Sequence, residues 1–284
     1  MDKGAIKKYA IWARSELIER VTQKAYQYGI HEDNQITERI EKVNGRLLTS
    51  EEQKQRRQLI AEVRAHGFET VMEEIAYIWF NRFAALRFME VNGYLPTHIR
   101  VFTDDNGRFA PQILTEAVHL ELEGLDREKV FAYIEANEKD TLYKYLLIMQ
   151  CNALGDILPD MFEKIADYTE LLFPENLLRE GSVIEQMVTL IPEADWNISV
   201  PDEKGQPQGQ VEIIGWLYQY YNTEPKDTVF ANLKKNIKIS KENIPAATQL
   251  FTPDWIVRYM VENSLGRLWL DGHADTELQA GWKY

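Results

Sequence analysis

Two sets of residues have the types and spacing for chemistry, and a third has the types alone. The first is Gln249-Leu250-Phe251-Thr252-Pro253, which closes a run of small and polar residues and opens onto a helical pattern. Thr252 suits the N-cap, where its hydroxyl would accept from an early orphan N–H of the helix. Pro253 suits the first helical position, which needs no N–H, and Asp254 places negative charge in the first turn with Arg258 four residues on. An ordinary loop-to-helix junction and a ligand-contacting loop both fit these residue types. The second set is Lys226, Lys234, Lys235, Lys238 and Lys241, opposed between 226 and 241 by Asp227 alone. Lys234, Lys235 and Lys238 are the candidate nucleic-acid contacts, with a solvated helix face as the alternative. The third set carries no chemistry. His31, His66, His98, His119 and His273 are scattered without metal-ligand spacing, and Cys151 sits in an apolar helical run as a core residue. With no phosphate loop and no Gly-x-Ser-x-Gly elbow, no catalytic or metal-binding residue is assigned.

The elements that must position these residues are helical. Ile6, Tyr9, Ala10, Ala13, Leu17 and Val21 mark a helix over 1–29, with Gly29 as its stop. Asn44-Gly45 is turn chemistry, and Ser50-Glu51-Glu52-Gln53 resembles a capping box opening a helix to about His66. Residues 68–91 keep helical spacing and are apolar on most sides, the mark of a central core helix. Within it Arg82 and Arg87 need partners, because unpaired buried charge is costly. His98–Phe102, the Asp105-Asn106-Gly107 turn and Arg108-Phe109 predict a short β-hairpin or a hairpin-like loop. Helical segments follow from Leu114 to about Met161, from Phe162 to Phe173, from Ser182 to Leu190, and over Val211–Tyr221. The aromatics of the last keep helical spacing and read as packing, with stacking on bases as the weaker alternative. Between 121 and 140 seven acids face three bases, which suits a solvated face or a surface for a basic partner. Val257, Val261, Leu265 and Leu268, widened by Ile256 and Met260, predict a half-buried helix after the loop. The expected organisation is a helical domain at 1–197, a flexible loop at 198–209 and a helical segment at 210–284.

The totals bound the class. The 284 residues are 45% hydrophobic and 27% charged, which is globular composition. One cysteine, no secretory signal and no membrane-length apolar run give a soluble, cytoplasmic expectation. The net charge of −13 gives no overall signal for DNA, so duplex contact is expected mostly through other parts of a larger protein.

Residues 244–269 (Ile-Pro-Ala-Ala-Thr-Gln-Leu-Phe-Thr-Pro-Asp-Trp-Ile-Val-Arg-Tyr-Met-Val-Glu-Asn-Ser-Leu-Gly-Arg-Leu-Trp) and 76–96 (Ala-Tyr-Ile-Trp-Phe-Asn-Arg-Phe-Ala-Ala-Leu-Arg-Phe-Met-Glu-Val-Asn-Gly-Tyr-Leu-Pro) resemble one family closely. It is the adenine-specific DNA methyltransferases of BREX phage-defence systems, the PglX/BrxX family. The aromatic-Thr-Pro triplet is similar to the S-adenosylmethionine motif of amino-methylating DNA methyltransferases. The resemblance therefore implies a cofactor loop of Gln249, Phe251, Thr252 and Pro253. It also implies a mainly α N-terminal region with a small β-hairpin, leading into a Rossmann-like methyltransferase domain.

Base methylation in this class needs a flipped adenine and an Asn/Asp/Ser-Pro-Pro-aromatic tetrapeptide to hold its amine. No Pro-Pro occurs in these 284 residues, and the Gly-rich loop and strand–helix alternation of the catalytic sheet are missing. The expectation is an N-terminal fragment that lacks the catalytic domain core, is inactive alone and binds S-adenosylmethionine weakly or not at all. The implied partners are double-stranded DNA through the full-length enzyme, other BREX components and a phage-encoded inhibitor. The alternative is a protein-interaction module docking those components or targeted by the inhibitor.

Overall fold

The computed structural model describes residues 1–32, 35–37, 40–159, 161–162, 168–199, 201, 205, 211–248, 250–273 and 277–283. They divide into two compact units, Met1–Glu224 and Pro225–Tyr284. The expected flexible loop at 198–209 falls largely outside the described residues.

In the first unit, α1 (Lys3–Gln27) is capped by Asp2, whose Oδ1 accepts from the Gly4 and Ala5 N–H groups at 2.9 and 3.0 Å. Its predicted stripe Ile6, Tyr9, Ala10, Ala13, Leu17 and Val21 is buried throughout. Gly29 ends it at φ +66°, and a Cβ there would lie 2.3 Å from the Ile40 side chain, so the position requires glycine.

A two-stranded antiparallel sheet follows, β1 (Lys42–Val43) and β2 (Arg46–Leu47). The left-handed Asn44 (φ 51°) and Gly45 (φ 81°) form the turn between them. The helix α2 (Ser50–His66) has a complete capping box, but the cap is Thr49 and not Ser50. Thr49 is extended at ψ 164°, so its hydroxyl reaches the Glu52 N–H while the Glu52 carboxylate returns to the Thr49 N–H. Next comes α3 (Phe68–Asn92), ended by a left-handed Gly93. It is the centre of the unit and packs against α1 and α2. Trp79, Phe83 and Leu86 are sealed at 1% exposure or less. Full burial of side chains of this size contributes about 1.5–3 kcal/mol each before conformational entropy is charged.

Residues 98–109 take the hairpin-like form, closed by an isolated antiparallel Thr103–Phe109 bridge and not by a strand ladder, and the two-stranded hairpin of this mainly α fold is the one at 42–47. The reason is a buried carboxylate. Glu90 Oε2 accepts from the Val101 and Phe102 N–H groups at 2.8 Å each, which takes the donors a strand would need. The Glu90 Oε1 atom pairs with Arg87, and Arg87 reaches Glu193 at 3.1 Å. Arg87 is thus paired with two carboxylates, and Arg82 lies over the Trp79 ring at 5.2 Å.

The remaining helices of the unit are α4 (Gln112–Thr115), α5 (Arg127–Glu135), α6 (Lys139–Gly155), α7 (Tyr168–Leu171), α8 (Val183–Leu190), α9 (Glu193–Trp196) and α10 (Ile213–Tyr221). The helix expected over 162–173 is described only as α7, because 163–167 lie outside the described residues. The Ser182 hydroxyl caps α8 as expected. Helices α8 and α10 pack on α1, and α9 and α10 pack on α3. Tyr221 meets Phe80 with ring centroids 4.4 Å apart, so this end of the aromatic segment is packing.

The second unit holds most of α11 (Thr223–Lys234), then α12 (Ile244–Thr248) and α13 (Asp254–Val261). A π-helical turn, Glu262–Gly266, joins α13 to α14 (Arg267–Gly272). No helix among the described residues is long and apolar enough to cross a membrane.

Candidate functional site

The candidate cofactor loop lies between α12 and α13. Gln249 falls outside the described residues. Leu250 is exposed, Phe251 and Pro253 are half-buried and Thr252 is exposed. Pro253 is extended (φ −55°, ψ 142°), which puts the first helical residue at Asp254 and the N-cap on Pro253 itself. This corrects the expected cap. Thr252 stands one residue too early, and no side chain caps α13. The Pro253 carbonyl instead accepts from Ile256 at 3.0 Å and Val257 at 3.3 Å, while the expected Asp254–Arg258 pair forms at 2.8 Å on the surface. The described part of the loop therefore presents a half-buried aromatic ring and an exposed hydroxyl on a turn.

The helix after the loop is not half-buried. Val257, Val261, Leu265 and Leu268 are 44%, 48%, 67% and 69% exposed, and α13 and α14 contain no buried residue. Their spacing is amphipathic as predicted, but nothing among the described residues seals the apolar side. Glycine within this run is the feature with structural weight. A Cβ on Gly266 would lie 2.7 Å from the Trp282 ring, so a larger residue there would displace that ring from the π-turn. The Lys283 N–H donates to the buried Glu262 carboxylate at 3.1 Å beside it. A glycine inside a helical pattern was the available signal for this close approach.

Lys234 closes α11, and left-handed Asn236 (φ 60°) terminates it, so Lys235 and Lys238 flank the turn. All three lysines are exposed. Residues 225–284 carry eight basic against seven acidic residues, and residues 1–224 carry twenty-four against thirty-eight. The chain's acidity thus belongs entirely to the first unit, and the lysine segment is locally cationic.

No group of three His, Cys, Asp or Glu among the described residues could hold a metal ion. The Cys151 thiol is fully buried, and burial pushes it up to about 12, so it is a poor nucleophile.

No protein-family model matches the chain. The adenine-specific methyltransferase PglX of Lacticaseibacillus casei (strain Zhang) is 41% identical to it over 317 aligned residues, covering all of this chain and 25% of that protein. The adenine-specific methyltransferase BrxX of Escherichia coli O9:H4 (strain HS) is 38% identical over 299, covering all of this chain and 23% of that protein. The chain belongs to the PglX/BrxX family of adenine-specific methyltransferases. It spans about a quarter of the length of these relatives. Both sequence segments that carry the resemblance, 76–96 and 244–269, lie within the aligned length.

Proposed function

We propose that this chain is part of an S-adenosylmethionine-dependent DNA methyltransferase that modifies adenine N6 in BREX anti-phage defence. The supporting observation is the identity of 38–41% to adenine-specific methyltransferases across the whole chain. In this reading Gln249, Phe251, Thr252 and Pro253 form one wall of the cofactor site. Phe251 and Pro253 supply apolar surface to the adenosyl group, and the Thr252 hydroxyl supplies a hydrogen bond. S-adenosylmethionine brings the transferable methyl group when bound. The residues that hold and flip the target adenine lie in the three quarters of the relatives' length not spanned here, and the 284 residues alone do not methylate. Lys234, Lys235 and Lys238 contact the phosphate backbone of duplex DNA.

Calorimetric titration of S-adenosylmethionine into the protein extended to the length of its relatives tests the loop. Thr252→Ala and Phe251→Ala each weaken binding at least tenfold, while the 284-residue chain alone binds weakly or not at all. Unchanged affinity in both variants refutes the cofactor role.

A second reading gives the first unit a protein-docking role, with other BREX components or a phage inhibitor as partners. The excess of thirty-eight acidic over twenty-four basic residues in 1–224 favours a basic partner there.

A further inference from the structure

A groove of about 530 Å³ lies between α1 and α3 in the first unit, within the range of roughly 300–1,000 Å³ usual for binding clefts. Its floor is apolar, from Ile18 on α1 and Phe68 and Met72 on α3, and its rim is acidic, from Glu19, Glu32 and Glu69. Phe68 and Met72 also belong to the buried core, so the packing of the two helices fixes the floor. From Arg14 to Thr22 the groove follows α1 for about 12 Å at 1.5 Å per residue, the span of about four extended residues. Both ends are built. At one, the Glu32 carboxylate accepts from the Tyr26 hydroxyl at 2.7 Å, and the Tyr26 ring stacks on His31 and Phe68 at 4.9 and 5.9 Å. At the other, Arg14 is held by Glu73 at 2.7 Å and reaches Glu224 at 3.8 Å, so the groove's own cation is already neutralised. Glu19, Glu32 and Glu69 have no cationic partner among the described residues, although Gln23 donates to Glu19 at 2.9 Å.

We propose that this groove docks a short basic segment of another protein in extended form. Its Arg or Lys side chains meet the three rim carboxylates, and an aliphatic side chain rests on the Phe68–Met72 floor. The inference deepens the docking reading of the first unit given above and rests on it. Charge commits it to that occupant. Carboxylates without a cation on both sides of the groove attract a basic chain and repel the phosphates of nucleic acid, as they repel an acidic protein. The excess of thirty-eight acidic over twenty-four basic residues in 1–224 steers the same partner toward this unit. The apolar floor between the acids is what a polypeptide uses and a free small polycation does not. Because the Tyr26–Glu32 hydrogen bond and the Arg14–Glu73 pair fix the two ends before anything binds, little ordering is left to do on docking.

Fluorescence anisotropy of a labelled short peptide of alternating Arg and Leu, titrated with the 284-residue chain, tests the groove. Glu19→Gln with Glu69→Gln weakens binding about tenfold, and a peptide with Glu in place of Arg does not bind. Ser15→Arg, which plants a cation at the rim without touching an acid, gives a comparable loss. Ser15, Glu19 and Glu69 are exposed, so all these variants keep the far-ultraviolet circular dichroism of the parent, which separates lost docking from lost folding. Glu128→Gln with Glu135→Gln removes the same charge from the exposed side of α5 and changes affinity by less than about twofold. Equal losses in the two pairs would assign binding to the overall negative field and overturn the groove, as would unchanged affinity in Glu19→Gln with Glu69→Gln. Displacement of the peptide by an equal concentration of spermidine would overturn a polypeptide occupant and assign the groove to a small polycation. Peptide binding that survives every groove variant refutes the groove but supports the docking reading of the first unit, whereas no binding by the parent chain overturns both.

Discussion

Glu90→Ala removes the centre of the buried network that holds residues 98–109 against α3. The Glu90 side chain is fully buried and accepts four hydrogen bonds, from the Val101 and Phe102 N–H groups, Arg87 and the Thr103 hydroxyl. Truncation orphans two backbone donors, each costing about 1–3 kcal/mol when buried without a partner. It also strips Arg87 of one carboxylate, although Glu193 remains at 3.1 Å and limits that loss. Breaking buried pairs of this kind costs about 3–5 kcal/mol in total. The assay is equilibrium unfolding in urea, followed by fluorescence of the buried Trp79 and Trp196. With a denaturant slope of about 2–3 kcal/mol per molar, the midpoint falls by about 1–2.5 M. Glu121→Ala, on the exposed acidic segment, serves as the control and shifts stability by no more than about 0.5 kcal/mol. A cost below about 1 kcal/mol for Glu90→Ala would refute the reasoning. It would mean that 98–109 is held by its other contacts, among them the Tyr143 hydroxyl on the Val101 carbonyl and the Arg100–Glu193 pair.

Two further outcomes follow from the charges. Burial raises the Glu52 carboxyl, but hydrogen bonds from Arg46 and from the Thr49 N–H outweigh it and hold the group at about 2. Its contribution is present above the ordinary value of 4.5 and is lost as pH falls toward 2; discounted for partial exposure it is about 1 kcal/mol. Glu52→Gln therefore lowers the melting temperature at pH 7 and leaves it unchanged near pH 2, and an equal loss at both pH values excludes the linkage. Replacing Lys234, Lys235 and Lys238 together by Ala reduces the slope of log affinity against log salt for duplex DNA by about 2–3, measured by anisotropy on the protein extended to the relatives' length. An unchanged slope leaves these lysines as a solvated helix face.

Local chemistry was enough to read the helical elements. The α1 stripe is buried residue for residue, Ser182 caps α8, and the stretch apolar on most sides is the central α3. These signals are legible because they depend on side chains within a few residues of one another. The cap of α2 slipped by one residue, since Thr49 and Ser50 are both competent and only the extended backbone at Thr49 chooses between them. Thr252 failed as a cap for the corresponding reason: ψ at Pro253 starts the next helix one residue later.

By itself the sequence determined the mainly α class, the amphipathic order of the helices and the family. Tertiary structure alone decided where the small hairpin forms. The strand-like pattern at 98–109 lost its backbone donors to Glu90, a residue on another element, and no local pattern reports that competition. It also decided that the stripe after residues 249–253 is bare. Periodicity states which side of a helix wants cover, but whether cover is present depends on what the rest of the polypeptide brings to it.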